Sequence, residues 1–288
     1  MFGLTFEKPW TTEEVYKLVD DKVQSIIEAC KADEYEVYLT GPHNFRFEIA
    51  TVAPYKGQRT GDKPHHWSTV GDRLRNHWGA KEVQGIEADD ILAIRATAME
   101  LESPGSYVIA SRDKDLRQVP CHHYSWACGK NQPEKEMYPV DYLGVVEALL
   151  YISPKGDKSY KLSGYGIRFF YGQLLTGDTV DNIKGCPRIG PQKAVGDLQF
   201  LTTEEELFNT CALRYQQVYG DDWKKYLEEN ARLLFLIRDP SWVTVEELGN
   251  NYFKYTVNKF WESPCDINNY DAGRETAGSN EGLPEAGT

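Results

Sequence analysis

Residues 81 to 115 alternate between strand and helix composition. The segment "KEVQG" resembles a short strand, "ADDILAIRATAMELE" has helix-forming composition, and "YVIA" at 107 to 110 is a short apolar run typical of a buried strand. A strand, a helix and another strand in succession are characteristic of an α/β fold built on a parallel sheet. We therefore predict an α/β domain, and its sheet should collect ligands at the carboxyl ends of the strands.

The rest of the chain divides around this pattern. Residues 11 to 32 have apolar side chains at helical spacing behind a Thr cap, and from residue 166 onward the pattern is mostly helical. We predict an α/β domain over residues 1 to 165 and a helical subdomain over 166 to 264. The last segment, 265 to 288, lacks periodicity and is expected to be a disordered tail.

The charge distribution limits the choice of partner. With 44 acidic and 32 basic residues the formal net charge is −12, which argues against a general polyanion binder. Residues 41 to 85, however, carry seven Lys or Arg and four acids, a local charge of +3. There is no apolar run of membrane-spanning length and no signal-peptide pattern, so we expect a cytoplasmic protein without a membrane partner.

The six cysteines do not indicate a disulfide framework, because they are scattered and form no CxxC pair. One cluster, "PCHHYSWAC", offers Cys121, His122, His123 and Cys128 as zinc ligands. The alternative is a strand at a sheet edge with surface histidines, and we favour it because adjacent histidines seldom converge on one tetrahedral ion.

Seven acidic residues lie where the chain changes structure. Each alone is explained as a helix cap or a turn former. Together they are predicted to face one cleft, where they would repel one another strongly without cations. Mg²⁺ or Mn²⁺ suits such an oxygen-rich site, and two such ions support the hydrolysis of phosphodiesters. The seven predicted metal ligands are Glu87, Asp89, Asp90, Asp113, Asp115, Asp178 and Asp181.

A glycine-containing turn follows the last two of these acids. In "LLTGDTVDNIKGCPRIGPQKAV", Gly185 and Gly190 let the backbone approach a ligand closely, and the amides of a helix starting near Pro191 can bind phosphate. The segment is not a nucleotide P-loop, because Lys193 does not directly follow the second glycine. The alternative is an ordinary packing corner between two helices.

These motifs, "YKGQR", "GIEADD", "SRDKDL" and "LLTGDTVDNIKGCPRIGPQKA", resemble those of the flap endonuclease and 5′-to-3′ exonuclease family. The resemblance covers about residues 35 to 240 and is strongest to bacteriophage exonucleases and to the 5′-nuclease domain of bacterial DNA polymerase I. It implies a PIN-like parallel-sheet nuclease domain with a helical arch, followed by a subdomain that contains a helix-two-turn-helix motif. It also implies that Lys56 and Arg59 act at the scissile phosphate, with Arg46 nearby.

The resemblance further implies that DNA is bound by residues of the arch and of the turn, and that a K⁺ ion sits at the helix-two-turn-helix. The expected DNA contacts are Arg46, Tyr55, Lys56, Arg59, Gly185, Gly190 and Lys193. The expected activity is metal-dependent cleavage of DNA that has a duplex region and a free 5′ end, in phage DNA replication or host DNA degradation. Action on RNA primers is left open, and for a phage-encoded chain the location is the host cytoplasm.

Two departures from the family concern the metal site. Relatives begin with a buried strand that carries an Asp, whereas this chain enters its first helix directly, and Thr40 and Gly41 stand where many relatives have a further Asp. We therefore expect the first strand to come from an upstream extension or a separate chain. A non-catalytic DNA-binding protein with an incomplete metal site is the alternative function. A phosphatase with an Asp-x-Asp loop is disfavoured, because "RDKD" comes too late in the chain.

Overall fold

The computed structural model describes residues 10–59, 61, 63–129, 132–153 and 155–257. Its helices are α1 Thr12–Cys30, α2 Arg46–Ile49, α3 Trp67–Trp78, α4 Ala88–Glu102, α5 Gly166–Thr176, α6 Pro191–Leu198, α7 Glu204–Tyr219 and α8 Trp223–Leu234. Its strands are β1 Tyr38–Asn44, β2 Lys81–Gly85, β3 Val108–Ala110, β4 His122–Ser125, β5 Lys135–Pro139, β6 Val145–Ile152, β7 Lys158–Tyr165, β8 Val243–Gly249 and β9 Tyr252–Val257. Short 3₁₀ helices lie at Asp115–Gln118, Gly220–Asp222 and Pro240–Trp242.

Helix α1 begins where the capping pattern predicts. The Thr11 hydroxyl accepts a hydrogen bond from the Glu14 amide at 3.2 Å, and the Glu14 carboxylate accepts one from the Thr11 amide at 2.9 Å. This reciprocal capping satisfies two backbone donors that the first turn leaves open. Val15 and Val19 on the buried face of α1 pack in a small cluster with Leu74 of α3. None of the described helices is long and apolar enough to cross a membrane.

The sheet confirms the α/β prediction. In the order β1-β2-β9-β8, β1 is parallel to β2, and β2 is parallel to β9. A second sheet, β3-β4-β5, pairs β3 with β4 in parallel. Helix α4 connects β2 to β3 and contacts both β1 and β3, so the two sheets lie under one helix.

The C-terminal part of the predicted helical subdomain contains a β-hairpin, which corrects the prediction for residues 243 to 257. Strand β9 runs beside β2, with Phe253 opposite Val83, and the two strands are far apart in sequence. Gly85 makes this approach possible: at φ 90° its position would place a Cβ atom 1.6 Å from the Tyr255 carbonyl oxygen. Residues 258 to 264 and the predicted tail, 265 to 288, lie outside the described residues.

Helices α5 to α8 share one hydrophobic core with the first sheet. Helix α5 is buried along most of its length, and Phe170 and Leu174 pack in the same cluster as Val83 and Ile86 at the sheet. Residue 165 ends strand β7 directly before α5. The predicted boundary there therefore separates secondary structures, while the packing is continuous across it.

Strands β1 and β3 each lie at the edge of a sheet among the described residues. Strand β1 has a strand neighbour only at β2, and β3 only at β4, among the described residues. The free edge of β2 is covered by β9. The strand expected from an upstream extension or a separate chain stays a prediction.

Candidate active site

Ten of the fourteen predicted site residues line a single cavity of about 90 Å³. It lies where β2 leads into α4, where the loop after β3 begins, and beside the turn that follows α5. Three segments that are distant in sequence therefore deliver carboxylates to one place: two follow strands of the two sheets, and the third follows helix α5. The ten residues are Arg46, Tyr55, Lys56, Arg59, Glu87, Asp89, Asp113, Asp115, Asp178 and Asp181.

Local hydrogen bonds orient the acids. Glu87 caps α4, and Asp113 accepts the Asp115 amide through Oδ1 at 2.9 Å, which starts the following 3₁₀ helix. Asp178 forms a two-residue bridge with Ile183, and its Oδ1 accepts the Val180 amide at 2.8 Å. The caps and turns that explain each acid singly are thus present, and the same backbone geometry points the acids into the cavity.

Two cations of the segment before α3 pair with acids at one side of the cavity. The Lys56 ammonium forms an ion pair with Glu87 and lies 3.8 Å from Asp181 Oδ2. Arg59 Nη2 lies 2.7 Å from Asp181 Oδ1. The Tyr55 hydroxyl is 3.2 Å from Glu87 Oε2 and 3.1 Å from Asp181 Oδ2. The predicted DNA-contacting residues and the predicted metal ligands therefore meet directly.

A third cation, which the sequence analysis did not assign, lies at the other side. Lys114 forms an ion pair with Asp178, and its Nζ lies 3.5 Å from Asp115 Oδ1. Gln173 of α5 donates to Asp115 Oδ1 at 2.5 Å. Lys114 stands inside the quoted "RDKD" motif, and Gln173 is a polar residue in a mostly apolar stretch of α5, so both carried a detectable signal.

The carboxylates raise one another's pKa. Burial and then the charges of Asp113 and Glu87 raise the pKa of Asp89 well above its usual value. Burial raises the pKa of Asp115 to about 6, where the pull of Lys114 opposes the repulsion of Asp113 and Asp178. Shifts of this kind mark acids that are crowded together and removed from water.

This donor set has the chemistry of a site for a hard divalent cation, because such ions prefer carboxylate oxygens. The side chains are nevertheless held by lysine and arginine. Among the described residues, no three His, Cys, Asp or Glu side chains form a group arranged to hold a metal ion. Lys56, Arg59 and Lys114 pair with Glu87, Asp181 and Asp178 respectively.

Arg46 and Asp90 form a buried ion pair beside the predicted site. Arg46 is 1% exposed and binds Asp90 through two hydrogen bonds of 2.6 and 2.8 Å. Asp90, fully buried, also accepts the amides of Glu87 and Ile237. The Asp90 oxygens are therefore occupied within the protein, and the Arg46 guanidinium is enclosed with them. The pair joins α2, α4 and the segment after α8.

The two glycines of the turn differ in their surroundings. Gly185 has φ 64°, and a Cβ there would lie 2.2 Å from the Gly177 nitrogen, so bare backbone is required within the fold itself. Gly190 caps α6 with extended backbone, and a Cβ there would meet nothing within 4 Å. None of Gly185, Gly190 and Lys193 lines the cavity. Gly190 and Lys193 are exposed at the start of α6.

The Cys and His cluster does not form a zinc site among the described residues. The favoured alternative also needs correction, because β4 is the middle strand of its sheet and His123 is 3% exposed. The His123 Nε2 atom lies 2.8 Å from the Val119 carbonyl oxygen and 3.4 Å from the Cys121 sulfur. His123 is therefore a core residue.

No family model matches the chain. A DNA polymerase I of Rhizobium leguminosarum is 32% identical over 130 residues, which cover 42% of this chain and 10% of that protein. The resemblance to DNA polymerase I that the motifs predicted is confirmed. The chain spans about a tenth of the length of this curated relative.

Solved structures of bacteriophage T5 proteins are also similar. The T5 D15 protein co-crystallised with metal ions is 14% identical, with a TM-score of 0.44 over 77% of this chain and 93% of that one. The T5 5′-exonuclease with zinc ions is 14% identical, with a TM-score of 0.42 over 80% and 93% of the two chains. A complex of the T5 D15 flap endonuclease with DNA and metal ions is 14% identical, with a TM-score of 0.41 over 76% and 90%.

Proposed function

We propose that this chain is a metal-dependent 5′ nuclease that hydrolyses phosphodiester bonds in DNA with a duplex region and a free 5′ end. The observation that carries the proposal is the shared cavity, in which six acids from three distant segments meet Lys56 and Arg59. Two divalent ions, Mg²⁺ or Mn²⁺, would stabilise the charge on the attacking and leaving oxygens. The acids suited to hold them are Glu87, Asp89, Asp113, Asp115, Asp178 and Asp181.

Lys56 and Arg59 would bind the phosphate next to the bond that is cleaved. Their present partners, Glu87 and Asp181, are carboxylates at the cavity wall, so a phosphate entering the cavity would find two cations already oriented. Arg59 is 55% exposed, which leaves it accessible to a backbone approaching from solvent. Lys114 would relieve repulsion between Asp115 and Asp178 until those acids have other partners.

The turn before α6 would hold the duplex away from the cavity. Gly190 and Lys193 present exposed backbone and an exposed cation at the start of α6, where helix amides and positive charge both favour phosphate. A K⁺ ion at this turn is part of the proposal. We place the activity in the cytoplasm, in DNA replication or in host DNA degradation for a phage-encoded chain, with RNA primers as an additional substrate to be tested.

One observation favours a second function, that of a non-catalytic DNA-binding protein. The carboxylates of Glu87, Asp181 and Asp178 are already paired with Lys56, Arg59 and Lys114. In that case the turn and the exposed lysines would bind DNA while the acids, neutralised by Lys56 and Lys114, serve only to shape the cavity.

Cleavage of a 5′-labelled flap and of a 5′-ended duplex, with Mg²⁺, Mn²⁺ or excess chelator, distinguishes the two functions. Asp113→Asn and Asp178→Asn preserve the hydrogen bonds to the Asp115 and Val180 amides while removing a charge. We expect cleavage to fall at least about 100-fold in both variants, with DNA affinity within about threefold of the parent. Asp221→Asn, on an exposed residue between α7 and α8, is the matched control and should cleave normally. Cleavage that persists in chelator would reject metal dependence, and binding without cleavage would favour the second function.

A further inference from the structure

The cationic loop, which we define as residues 51 to 59, carries Tyr55, Lys56 and Arg59 into the cavity. Its conformation is not one that the chain adopts readily by itself. Lys56 has φ 54°, in the left-handed region that non-glycine residues seldom occupy without support from their surroundings. Something in the structure must therefore stabilise this loop.

Asn182 provides contacts to both sides of the loop's turn. Its Nδ2 atom donates to the Pro54 carbonyl oxygen at 2.9 Å, and its Oδ1 atom accepts from Gln58 Nε2 at 3.0 Å. Next to it, the Asp181 carbonyl oxygen accepts the Lys56 amide at 2.9 Å. The side chain thus bridges the residues before and after Lys56, and the adjacent peptide holds Lys56 itself.

Asn182 is well suited to this position. It has φ 60°, a conformation that Asn tolerates better than most residues, and it is 9% exposed. It directly follows Asp181 and lies four residues after Asp178. The segment that supplies two of the acids therefore also fixes the loop that supplies two of the cations.

The other end of the loop is tied independently. Glu229 of α8 accepts the amides of Thr51 and Val52 at 2.9 and 2.8 Å. With that end fixed by α8, the Asn182 contacts decide where the segment from Pro54 to Arg59 lies along the acid-bearing turn. A slip there would move the Lys56 ammonium away from Glu87.

We propose that Asn182 is a positioning residue for the cleavage reaction: by joining Pro54 to Gln58 it holds Lys56 and Arg59 in register with the carboxylates. The inference rests on the proposed nuclease function, and it goes beyond that function in assigning a role to a residue that itself lies outside the cavity lining. Its polar atoms are used within the protein, so it acts through the loop and not on the substrate.

The decisive variant is Asn182→Gly, because glycine accepts φ 60° without strain and only the amide group is lost. We expect single-turnover cleavage to fall about 10- to 100-fold while DNA affinity changes less than about threefold, since misplaced groups cost rate more than binding. Asn182→Asp retains the acceptor for Gln58 but turns a carboxylate oxygen toward the Pro54 carbonyl oxygen, so its rate should also fall. Gln217→Ala, which removes an exposed amide on α7, is the control and should match the parent.

Two further measurements separate positioning from general destabilisation. Hydrogen exchange of the Lys56 amide should accelerate in Asn182→Gly, while amides in α5 and α7 keep their protection. Gln58→Ala should lower the rate alone but add little to Asn182→Gly, because the two side chains act through one contact.

The outcomes are distinct from those for the nuclease function. A parent protein that cleaves, together with an Asn182→Gly variant that cleaves equally fast, would overturn the positioning role and leave the nuclease function intact. If the parent does not cleave, the nuclease function and the reaction role both fail. The exchange of the Lys56 amide then shows whether the contact itself exists, and unchanged protection would overturn that as well.

Discussion

Replacing Gly185 or Gly190 by alanine tests what the two glycines of the turn are for. The sequence assigns both to close approach of the backbone to DNA. The structure separates them, because Gly185 faces the backbone of Gly177 inside the fold, whereas Gly190 faces open space at the start of α6. We therefore expect Gly185→Ala to lower stability and Gly190→Ala to lower DNA affinity.

The magnitude for Gly185→Ala has two sources. An L-residue at φ 64° costs about 1–2 kcal/mol. A Cβ placed 2.2 Å from the Gly177 nitrogen and 2.6 Å from the Thr176 carbonyl carbon also forces the turn to shift, which costs about 1–3 kcal/mol as overpacking. The free energy of unfolding should fall by about 2–5 kcal/mol, and the melting temperature by roughly 5–15 °C for a chain of this size.

Gly190→Ala is the matched comparison. Its backbone, at φ −91° and ψ 174°, accepts any residue, and the new methyl group meets no protein atom within 4 Å. Its stability should stay within about 0.5 kcal/mol of the parent. If a DNA phosphate approaches this backbone, the methyl group would weaken the binding free energy by about 1.4 kcal/mol, which raises the Kd for duplex DNA about tenfold.

Thermal melting and DNA titration of both variants, at one ionic strength, give the result. If Gly185→Ala has the same melting temperature as the parent, the predicted clash with Gly177 and Thr176 does not occur. If Gly190→Ala binds DNA as tightly as the parent, the turn does not contact DNA and is instead an ordinary packing corner between two helices.

Three other predictions follow. Arg46→Met should lower the free energy of unfolding by about 3–5 kcal/mol, because it leaves Asp90 as a buried charge without its partner. Adding Asp90→Leu should recover part of this loss, as measured by chemical unfolding. Burial lowers the pKa of His123 to about 4, so between about pH 6.5 and 4 this histidine is protonated in the unfolded chain but neutral in the folded one. The free energy of unfolding should therefore fall by up to about 3 kcal/mol as the pH drops through this range, and His123→Gln should remove this contribution in melting curves. Binding to duplex DNA should weaken about 40-fold between 50 and 200 mM salt for about three phosphate contacts, and a flat response would argue against exposed cations of the turn, Lys184, Arg188 and Lys193, as the contacts.

The elements that could be predicted from sequence are those whose signal is local. The capping pattern at Thr11 locates α1, and the strand-helix-strand alternation places Glu87 and Asp113 at the ends of neighbouring segments. The hairpin β8–β9 was missed because its position depends on pairing with β2, across more than 160 residues of sequence. Alternating side chains in a short exposed hairpin give little evidence of such a partner.

The site shows the same division. Ten of the residues predicted from motif order line one cavity. Glu87 and Asp113 follow strands β2 and β3, as expected for ligands at the carboxyl ends of strands, whereas Asp178 follows helix α5 and reaches the cavity through tertiary packing. Spacing could not distinguish Asp89 from its neighbour Asp90, since one residue turns the side chain by about 100° around the helix. That rotation takes Asp90 into the core, where only the partner Arg46, 44 residues away, makes its burial tolerable.

The ion pairs at the cavity lessen the repulsion that a chain of net charge −12 would exert on the proposed polyanionic substrate. What an approaching phosphate meets is the local field, which reaches about 10 Å at ordinary ionic strength, and the far acids are screened. Within that distance Lys56, Arg59 and Lys114 pair with four of the six acids of the cavity, Glu87, Asp181, Asp178 and Asp115. A divalent ion that takes over a carboxylate would free the paired cation to bind phosphate, so metal and DNA should strengthen each other's binding. Titrating Mn²⁺ with and without a non-cleavable DNA measures this coupling, and equal metal affinities in the two titrations would show that the lysines and arginine do not link the two ligands.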